Sequence, residues 1–417
     1  MSDRSNFDCV VVGGGPAGLA AACALGKLGL SVALATQIAD GSGRADAPLA
    51  VDTRTAALFP PAIALLDQLG AWKGLAPHCA PLRAIRLIDD TGSLLRAPEV
   101  LFSARDIGID DLGYNVANAA LNESLTAAAR ALDVTIPDDG RALAVEPGAE
   151  RATVRLSRNR ALTSHLVVAA DGRASATREA AGIHIKSWSY DQAALACRFC
   201  HSRPHHGVST ELQGAAGPCT TVPLVGCASS LVWMHSPAEI DRMSALPPTA
   251  FLDALSERLG GLLGQLSDLG PRRSYPLSGL IAETMGRNRV ALVGEAGHAL
   301  PPIGAQGLNL GLVDAAVLAD TVAAARAAGD DIGAAPALAA YDAARSADVR
   351  RRVGAVDLLN RSLNSGFGPL NLARGAGLHV LAAMPSLRRR LMLEGLYPPA
   401  PLPTLMQPRR SPNIRPA

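Results

Sequence analysis

The chain has 417 residues, 48% of them hydrophobic, which suits two or three domains with sizeable cores rather than one. Aromatic residues make up only 3%, and the net charge is +2 with no long basic run, so neither a base-stacking platform nor a polyanion-binding face is expected, and nucleic acid is excluded as a partner. The seven cysteines are odd in number and scattered, and read as reduced thiols rather than a disulfide framework.

Met1–Asp8 is short and polar, which fits neither a signal nor a transit peptide. No uninterrupted apolar stretch reaches the roughly 20 residues of a spanning helix, and the expected location is cytoplasmic. The first signal is FDCVVVGGGPAGLAAACALGKLGLSVALAT, residues 7–36. It reads as strand, glycine turn, small-residue helix and strand. Gly13, Gly15 and Gly18 fit GxGxxG: the first for the turn, the second for backbone approach to a pyrophosphate, the third, with Ala17, for helix-on-sheet packing. A plain glycine-rich turn is the competing reading. The acidic residue expected at the end of the second strand, where it would hold a ribose, is replaced by Thr36, followed by Gln37; Asp40 is a substitute from the loop.

DTRTAALFPPAIALLDQLGAW, 52–72, reads as a helix with Arg54 near its start. LRAIRLIDDTGSLLRAPEV, 82–100, reads as a hairpin turning at DDTG. LGYNVAN leads to Asn118, a turn or cap residue or a binding residue. SHLVVAADGRASATREAAGI, 164–183, is a buried strand ending at Asp171–Gly172, then a short helix with Arg178. CRFCH, 197–201, matches the c-type haem pattern, but a strand would point Cys197 and Cys200 to opposite faces, and zinc with His205 and His206 is disfavoured as well. AALACRFCH, TELQG, TTVPL and SSLVWMH read as short strands. The third signal is a strand running into Gly294–Glu295, a Pro/Gly loop, and a helix starting near Gln306. Residues 336–365 read as an amphipathic helix. MPSLRRRLMLEGL, 384–396, puts Leu387 and Leu391 on one face beside three arginines, for packing or for a membrane surface. Residues 398–417 hold seven prolines and read as a disordered tail.

The three glycine-bearing signals, in this order, resemble the flavoprotein aromatic-ring monooxygenases of the para-hydroxybenzoate hydroxylase class, and within it the ubiquinone-biosynthesis hydroxylases. The likeness extends to DTRTAALFPPAIALLDQLGAW, LGYNVANAALNESL, GPCTTVPLVGCASSLVW, NRVALVGEAGHALPPIGAQGLNLGLVDAAVLAD and the block from VDLLNRSL to RRRLMLEGL, nearly the whole chain to residue 396.

The resemblance implies an α/β fold: a Rossmann-like FAD-binding domain (1–75, 106–185, 276–335), an inserted mixed β-sheet substrate domain (76–105, 186–275), C-terminal helices (336–397) and the tail (398–417). It also implies the site. Gly13, Gly15, Pro16, Ala17 and Gly18 would hold the FAD pyrophosphate, Thr36 would stand at the adenosine ribose, and Arg54 would lie along the FAD chain. Asn118 would face the ribityl side. Asp171 and Gly172 would be shared with transiently bound NAD(P)H, with Arg178 a contact. Gly294–Glu295 stands where the family has Gly-Asp on a ribityl or ribose hydroxyl; the two altered carboxylates predict weaker FAD binding. Pro302, Gly304, Ala305, Gln306, Gly307 and Asn309 would carry the flavin ring, with the helix N-terminus toward its pyrimidine edge. His298 would support that loop. Gln213 replaces a bulky aromatic of the family in the cavity wall.

The implied reaction is hydroxylation of the phenolic ring of a polyprenylated quinone precursor, with NAD(P)H as donor, O2 as co-substrate and a flavin C4a-hydroperoxide as oxidant. No metal and no essential catalytic side chain is implied. A peripheral contact at the inner membrane surface and a quinone-synthesis protein complex are the further partners. The alternatives are a flavin-dependent reductase or dehydrogenase of an isoprenoid, and a non-catalytic member of such a complex.

Overall fold

The computed structural model describes residues 5–36, 52–91, 97–138, 140–214, 217–363, 377–399 and 401–408. Its first layer is a seven-stranded sheet whose centre is parallel, in the order Val290–Leu292, Arg160–Ala169, Asn6–Val12, Val32–Ala35. Toward their carboxyl ends these strands become continuous apolar runs (Cys9–Val12, Leu166–Ala169, Val290–Leu292), because both sheet faces are covered there. Register pairs Val12 with both Ala35 and Ala169, and Ala169 with Leu292. The three glycine signals, more than 100 residues apart in the chain, therefore leave neighbouring strands side by side at the carboxyl end of the sheet.

Helix Pro16–Lys27 follows the first strand and packs against helices Asn118–Ala131 and Gln306–Ala328. Alanines 20, 21, 22 and 24 are fully buried, so the backbones approach closely. Helix Gln306–Ala328 is long and apolar enough to cross a membrane, but Leu310, Leu312, Ala315, Ala316 and Leu318 are buried in the core, and it serves as the core helix here.

The second layer is a nine-stranded sheet: His298–Ala299, Arg273–Ala282, Ile185–His201, Ala228–His235, Gly217–Leu224, Val208–Gly214, Ala84–Asp90 and Val100–Ser103 in order, with Leu266–Ser267 beside Ile185–His201. Helices Pro237–Ala245 and Pro248–Leu259 cover one face, where Leu195, Phe199, Leu212, Leu231 and Trp233 meet Ile240, Phe251 and Leu255. The other face meets strand Thr55–Leu58, with Thr55 Oγ1 2.9 Å from Ser230 Oγ. The sheet outruns its predicted limits: Arg273–Ala282 and His298–Ala299 extend it into the span assigned to the cofactor domain.

Three local expectations are corrected. Arg54 precedes a strand, not a helix; residues 55–58 pair antiparallel with 114–117, and the helix starts only at Pro60, whose fixed φ suits a first turn. The hairpin after Leu82 has both strands, but the second starts at Val100, and Asp89 accepts from Thr91 N (3.2 Å) and Ala97 N (2.9 Å); residues 92–96 lie outside the described residues. The proline-rich end is not wholly a free tail. Leu405 and Met406 are buried in the main core, Thr404 N donates to Asp320 (2.9 Å), and Gln68 Nε2 to Gln407 O (3.5 Å). Prolines lower the entropy cost of docking this arm. Residues 409–417 lie outside the described residues. Met406→Ala is expected to destabilise the fold by about 2–4 kcal/mol, read as a lower urea midpoint at unchanged slope.

Candidate cofactor and ring-hydroxylation site

Gly13 has φ +116°, and a Cβ there would run into the Ala170 carbonyl, so the crossing of first and second loops requires glycine. A Cβ on Gly18 would strike Gly13 O and approach Ala170 Cβ to 2.9 Å. Gly15 differs: φ is −72° and nothing lies within 4 Å of its would-be Cβ. It is the N-cap of helix Pro16–Lys27, with Pro16 in the first turn, no side-chain cap and no acidic residue there. That leaves backbone N–H groups and a helix dipole facing open space, the geometry of an anion site. The Ala17 side chain packs: a Cβ on Gly294 or Gly311 would come within 3.1–3.2 Å of the Ala17 Cβ. Thr36 ends the second strand beside Gly14, where the ribose acceptor was expected; Asp40 lies outside the described residues.

In the second loop, Asp171 accepts from Ser175 Oγ and from Thr177 N (3.1 Å), so its carboxylate caps helix Ala176–Ala180. Gly172 sits at φ +84°. Arg178 is corrected as a nicotinamide contact: it is 2% exposed, and its Nη1 donates to Arg173 O and Ala296 O (3.1 and 3.0 Å), tying the second loop to the third.

Gly294, at φ +63°, opens the third loop. The Glu295 carboxylate, expected on a ribityl or ribose hydroxyl, pairs instead with Arg173 (3.2 Å), which also donates to Ser278 Oγ (2.9 Å). Arg54 forms a fork with Asp52 (2.9 Å on each arm) and lies 5.5 Å over the Tyr275 ring. Asn118 Nδ2 donates to the same Asp52 (3.2 Å), while Asn118 Oδ1 is buried and unpartnered. Asp52 was missed from the sequence, although an acid two residues before a functional arginine was a usable signal. Burial works to raise its pKa, and hydrogen bonds from Arg54 outweigh that, holding it below the ordinary value.

The ring loop is held by amides that were expected to bind cofactor. Gln306 Nε2 donates to Gly304 O and Gly395 O (3.1 Å each), and its Oε1 accepts from Arg352 (2.6 Å). Asn309 accepts from Phe59 N (3.1 Å) and donates to Ala57 O and Ala305 O (2.7 and 2.8 Å). Both side chains thus brace the loop. Gly304 (φ +64°) and Ala305 (φ +53°) are left-handed, a costly shape for alanine that the Asn309 bond fixes. Pro302 and Gly307 are exposed, and nothing lies within 4 Å of a Cβ built on Gly307, so this backbone is open to a flat ring.

Behind the loop lies a buried charge relay of structural purpose. Asp314 accepts from Gly294 N (2.9 Å), His298 Nε2 (2.6 Å) and Arg345 Nε (2.7 Å); Arg345 reaches Asp348 (3.1 Å), which also takes Arg352 (3.1 Å). Burial acts to raise the Asp314 pKa, and the His298 and Arg345 charges outweigh it, leaving it lowered. His298 is 1% exposed, which fits loop support rather than catalysis. The CxxCH cysteines serve the second sheet: Cys197 is fully buried in its core, and His201 is bonded to Arg203 O and Ser229 Oγ (2.8 and 3.0 Å). Among the described residues no cluster suits a metal ion.

The family described as FAD binding domain matches residues 6–354. The chain belongs to this family. Ubiquinone hydroxylase UbiL of Rhodospirillum rubrum is 36% identical over 388 residues, covering 92% of this chain and 88% of that protein. The 3-demethoxyubiquinol 3-hydroxylase of Escherichia coli is 28% identical, covering 92% and 97%. Among solved structures, p-nitrophenol 4-monooxygenase PnpA from Pseudomonas putida shares the fold at TM-score 0.76 and 20% identity, covering 94% of this chain and 99% of that one. The flavoprotein is therefore an FAD-dependent monooxygenase. Its residues fit FAD on their own evidence. Gly15 and Gly307 leave space a side chain would fill, two helix N-termini carry no side-chain cap, and the Asn118 Oδ1 and the Arg54 fork lie together, joined through Asp52.

Proposed function

We propose that the chain hydroxylates the phenolic ring of a prenylated ubiquinone precursor, using NAD(P)H and O2. The observation that carries this reading is the alignment of Val12, Ala169 and Leu292 in neighbouring strands, which brings three glycine loops together at the carboxyl end of the first sheet. Bound FAD supplies the redox and oxygen chemistry. The protein's own residues bind and orient. Gly15 and the helix behind it would take the pyrophosphate, the Arg54–Asp52 pair would lie along the diphosphate chain, and Asn118 Oδ1 would accept a hydrogen bond from a hydroxyl of the cofactor's sugar chain. The backbone of Gly304–Gly307 would carry the ring, and the nine-stranded sheet would shield it from water.

A lipophilic substrate calls for access to a bilayer, at the cytoplasmic surface of the inner membrane in this reading. Helix Pro385–Leu396 supports it: Met392 and Leu396 pack inward, not the Leu387/Leu391 face, while Leu391 and Leu393 stay exposed beside Arg389 and Arg390, near exposed Val380 and Met384. The test is turnover of purified, FAD-loaded protein with NAD(P)H, O2 and a 2-prenylphenol. One ring-hydroxylated product per NAD(P)H supports the reading. Turnover that persists without oxygen would replace it with the isoprenoid reductase alternative.

A further inference from the structure

The substrate side of the second sheet holds a carboxyl group that no step above uses. In strand Val208–Gly214, alternation sends Leu212 into the helix-covered core with its cross-strand neighbour Cys219. Glu211 and Gln213 therefore point to the opposite face, and Thr220 stands across from Glu211. Two residues beyond Thr220, about 7 Å along the strand, Val222 joins the apolar cluster that also takes in Ile85, Phe102 and Ala305 of the ring loop. Glu211 thus lies on the wall that faces the flavin loop.

Its surroundings are unusual for a glutamate. Gln213 Nε2 donates to one oxygen (3.2 Å), and Thr220 Oγ1 makes a long contact to the other (3.5 Å). Among the described residues no cation lies within ion-pair distance. The charged groups of the adjoining strands are matched elsewhere: Arg86 to Glu99 (3.0 Å), Arg258 to Asp90, and Asp89, on the same face, to Thr91 and the Ala97 N–H. The side chain is largely but not completely buried. Burial raises its pKa above the ordinary value, which makes it a stronger proton acceptor.

We propose that Glu211 receives the phenolic hydroxyl of the ring substrate and takes its proton as the ring is oxygenated. The inference rests on the hydroxylase reading. The phenol O–H bond breaks, the proton moves to the Glu211 carboxylate, and the electron pair left on oxygen enriches the ring carbons ortho and para to it. One O2 atom enters the ring and the other leaves as water, with two electrons from NAD(P)H. The attacked carbon then loses its hydrogen as a proton to solvent, replacing the one taken up when the second oxygen leaves as water, and Glu211 returns its own proton to the phenolic oxygen. Gln213, smaller than an aromatic, is free to steady the carboxyl by its amide.

The test uses FAD-loaded wild type, Glu211→Gln and Glu211→Asp with a 2-prenylphenol and its methyl ether. Wild type should bind the phenol about tenfold more tightly than the ether, read from the flavin absorbance change. Glu211→Gln should load FAD and keep the wild-type melting temperature, yet hydroxylate on the order of 100-fold more slowly, and lose the acidic limb of the kcat/KM pH profile. NAD(P)H oxidation uncoupled from product should persist, and Glu211→Asp should recover part of the rate. Equal wild-type affinity for phenol and ether, or a Glu211→Gln rate within twofold of wild type with an unchanged pH profile, overturns the proposal. A wild type that binds FAD but hydroxylates nothing instead overturns the hydroxylase reading.

Discussion

Gly15→Val should yield a folded, colourless protein. At φ −72° valine is unstrained, and no atom lies within 4 Å of the position its Cβ would take. The thermal midpoint of the flavin-free variant should match flavin-free wild type within about 2 °C. The branched side chain would fill the space in front of the uncapped helix terminus, so FAD affinity should fall about 100-fold or more, near 3 kcal/mol. Flavin absorbance after dialysis and fluorescence quenching on titration read this directly. Gly18→Val makes the contrast. Its Cβ would press on Gly13 O and Ala170, so that variant should lose stability itself, not merely the cofactor. Normal flavin loading of Gly15→Val would remove the first loop from the site.

Asp314→Asn should be the most damaging single change to the fold. The carboxylate is wholly buried between a backbone N–H, an imidazole and a guanidinium, and neutralising it leaves Arg345 with an uncompensated charge on that side. Breaking a buried pair in this way costs about 3–5 kcal/mol. Because Gly294 N is one of the three donors, the third loop should also loosen, and the remaining FAD affinity should drop with it. The pH dependence has a definite sign. The folded-state pKa of Asp314 lies below its unfolded value, so its stabilisation is present above about pH 4 and is lost as pH falls through the lower, folded value. Asp348 and Asp331 are lowered as well, burial opposing and their arginines prevailing, and they add to the same acid sensitivity. In urea unfolding series at pH 7 and pH 3, wild type should lose more stability than the variant. Equal losses would show that Asp314 carries no special charge interaction.

Much of the scaffold was legible in the sequence because period and punctuation agree there. VVV followed by GGGPAG can hardly be anything but a buried strand turning into a helix, and the same holds for RVALVG before its loop. What failed was local context that depends on distant partners. TAAL looks helical beside PPAIALL until strand Gly113–Ala117 claims its backbone. Seven prolines suggested a free end, yet Leu405 and Met406 find a slot between two helices that no local pattern announces. Within the site, residue types pointed to the right places but not always to the right tasks. Gln306 and Asn309 stand in the ring loop as expected, but their amides are consumed by Arg352, Gly395, Ala57 and Phe59, partners 46 to 252 positions away in sequence. Glu295 is likewise diverted by Arg173. Hydrogen-bond partnerships of this range are set by tertiary packing, and a linear motif does not encode them.

The spacing of the three adjoining strands also bears on how the protein is made. Residues 6–12, 160–169 and 290–292 must all have left the ribosome before the cradle can close, and the guanidinium of Arg352 that braces Gln306 emerges later still. Such long-range pairing folds slowly and leaves early strands exposed while they wait. Pigmentation should therefore appear only after nearly complete synthesis, and a truncated nascent chain should stay pale however much riboflavin its host contains.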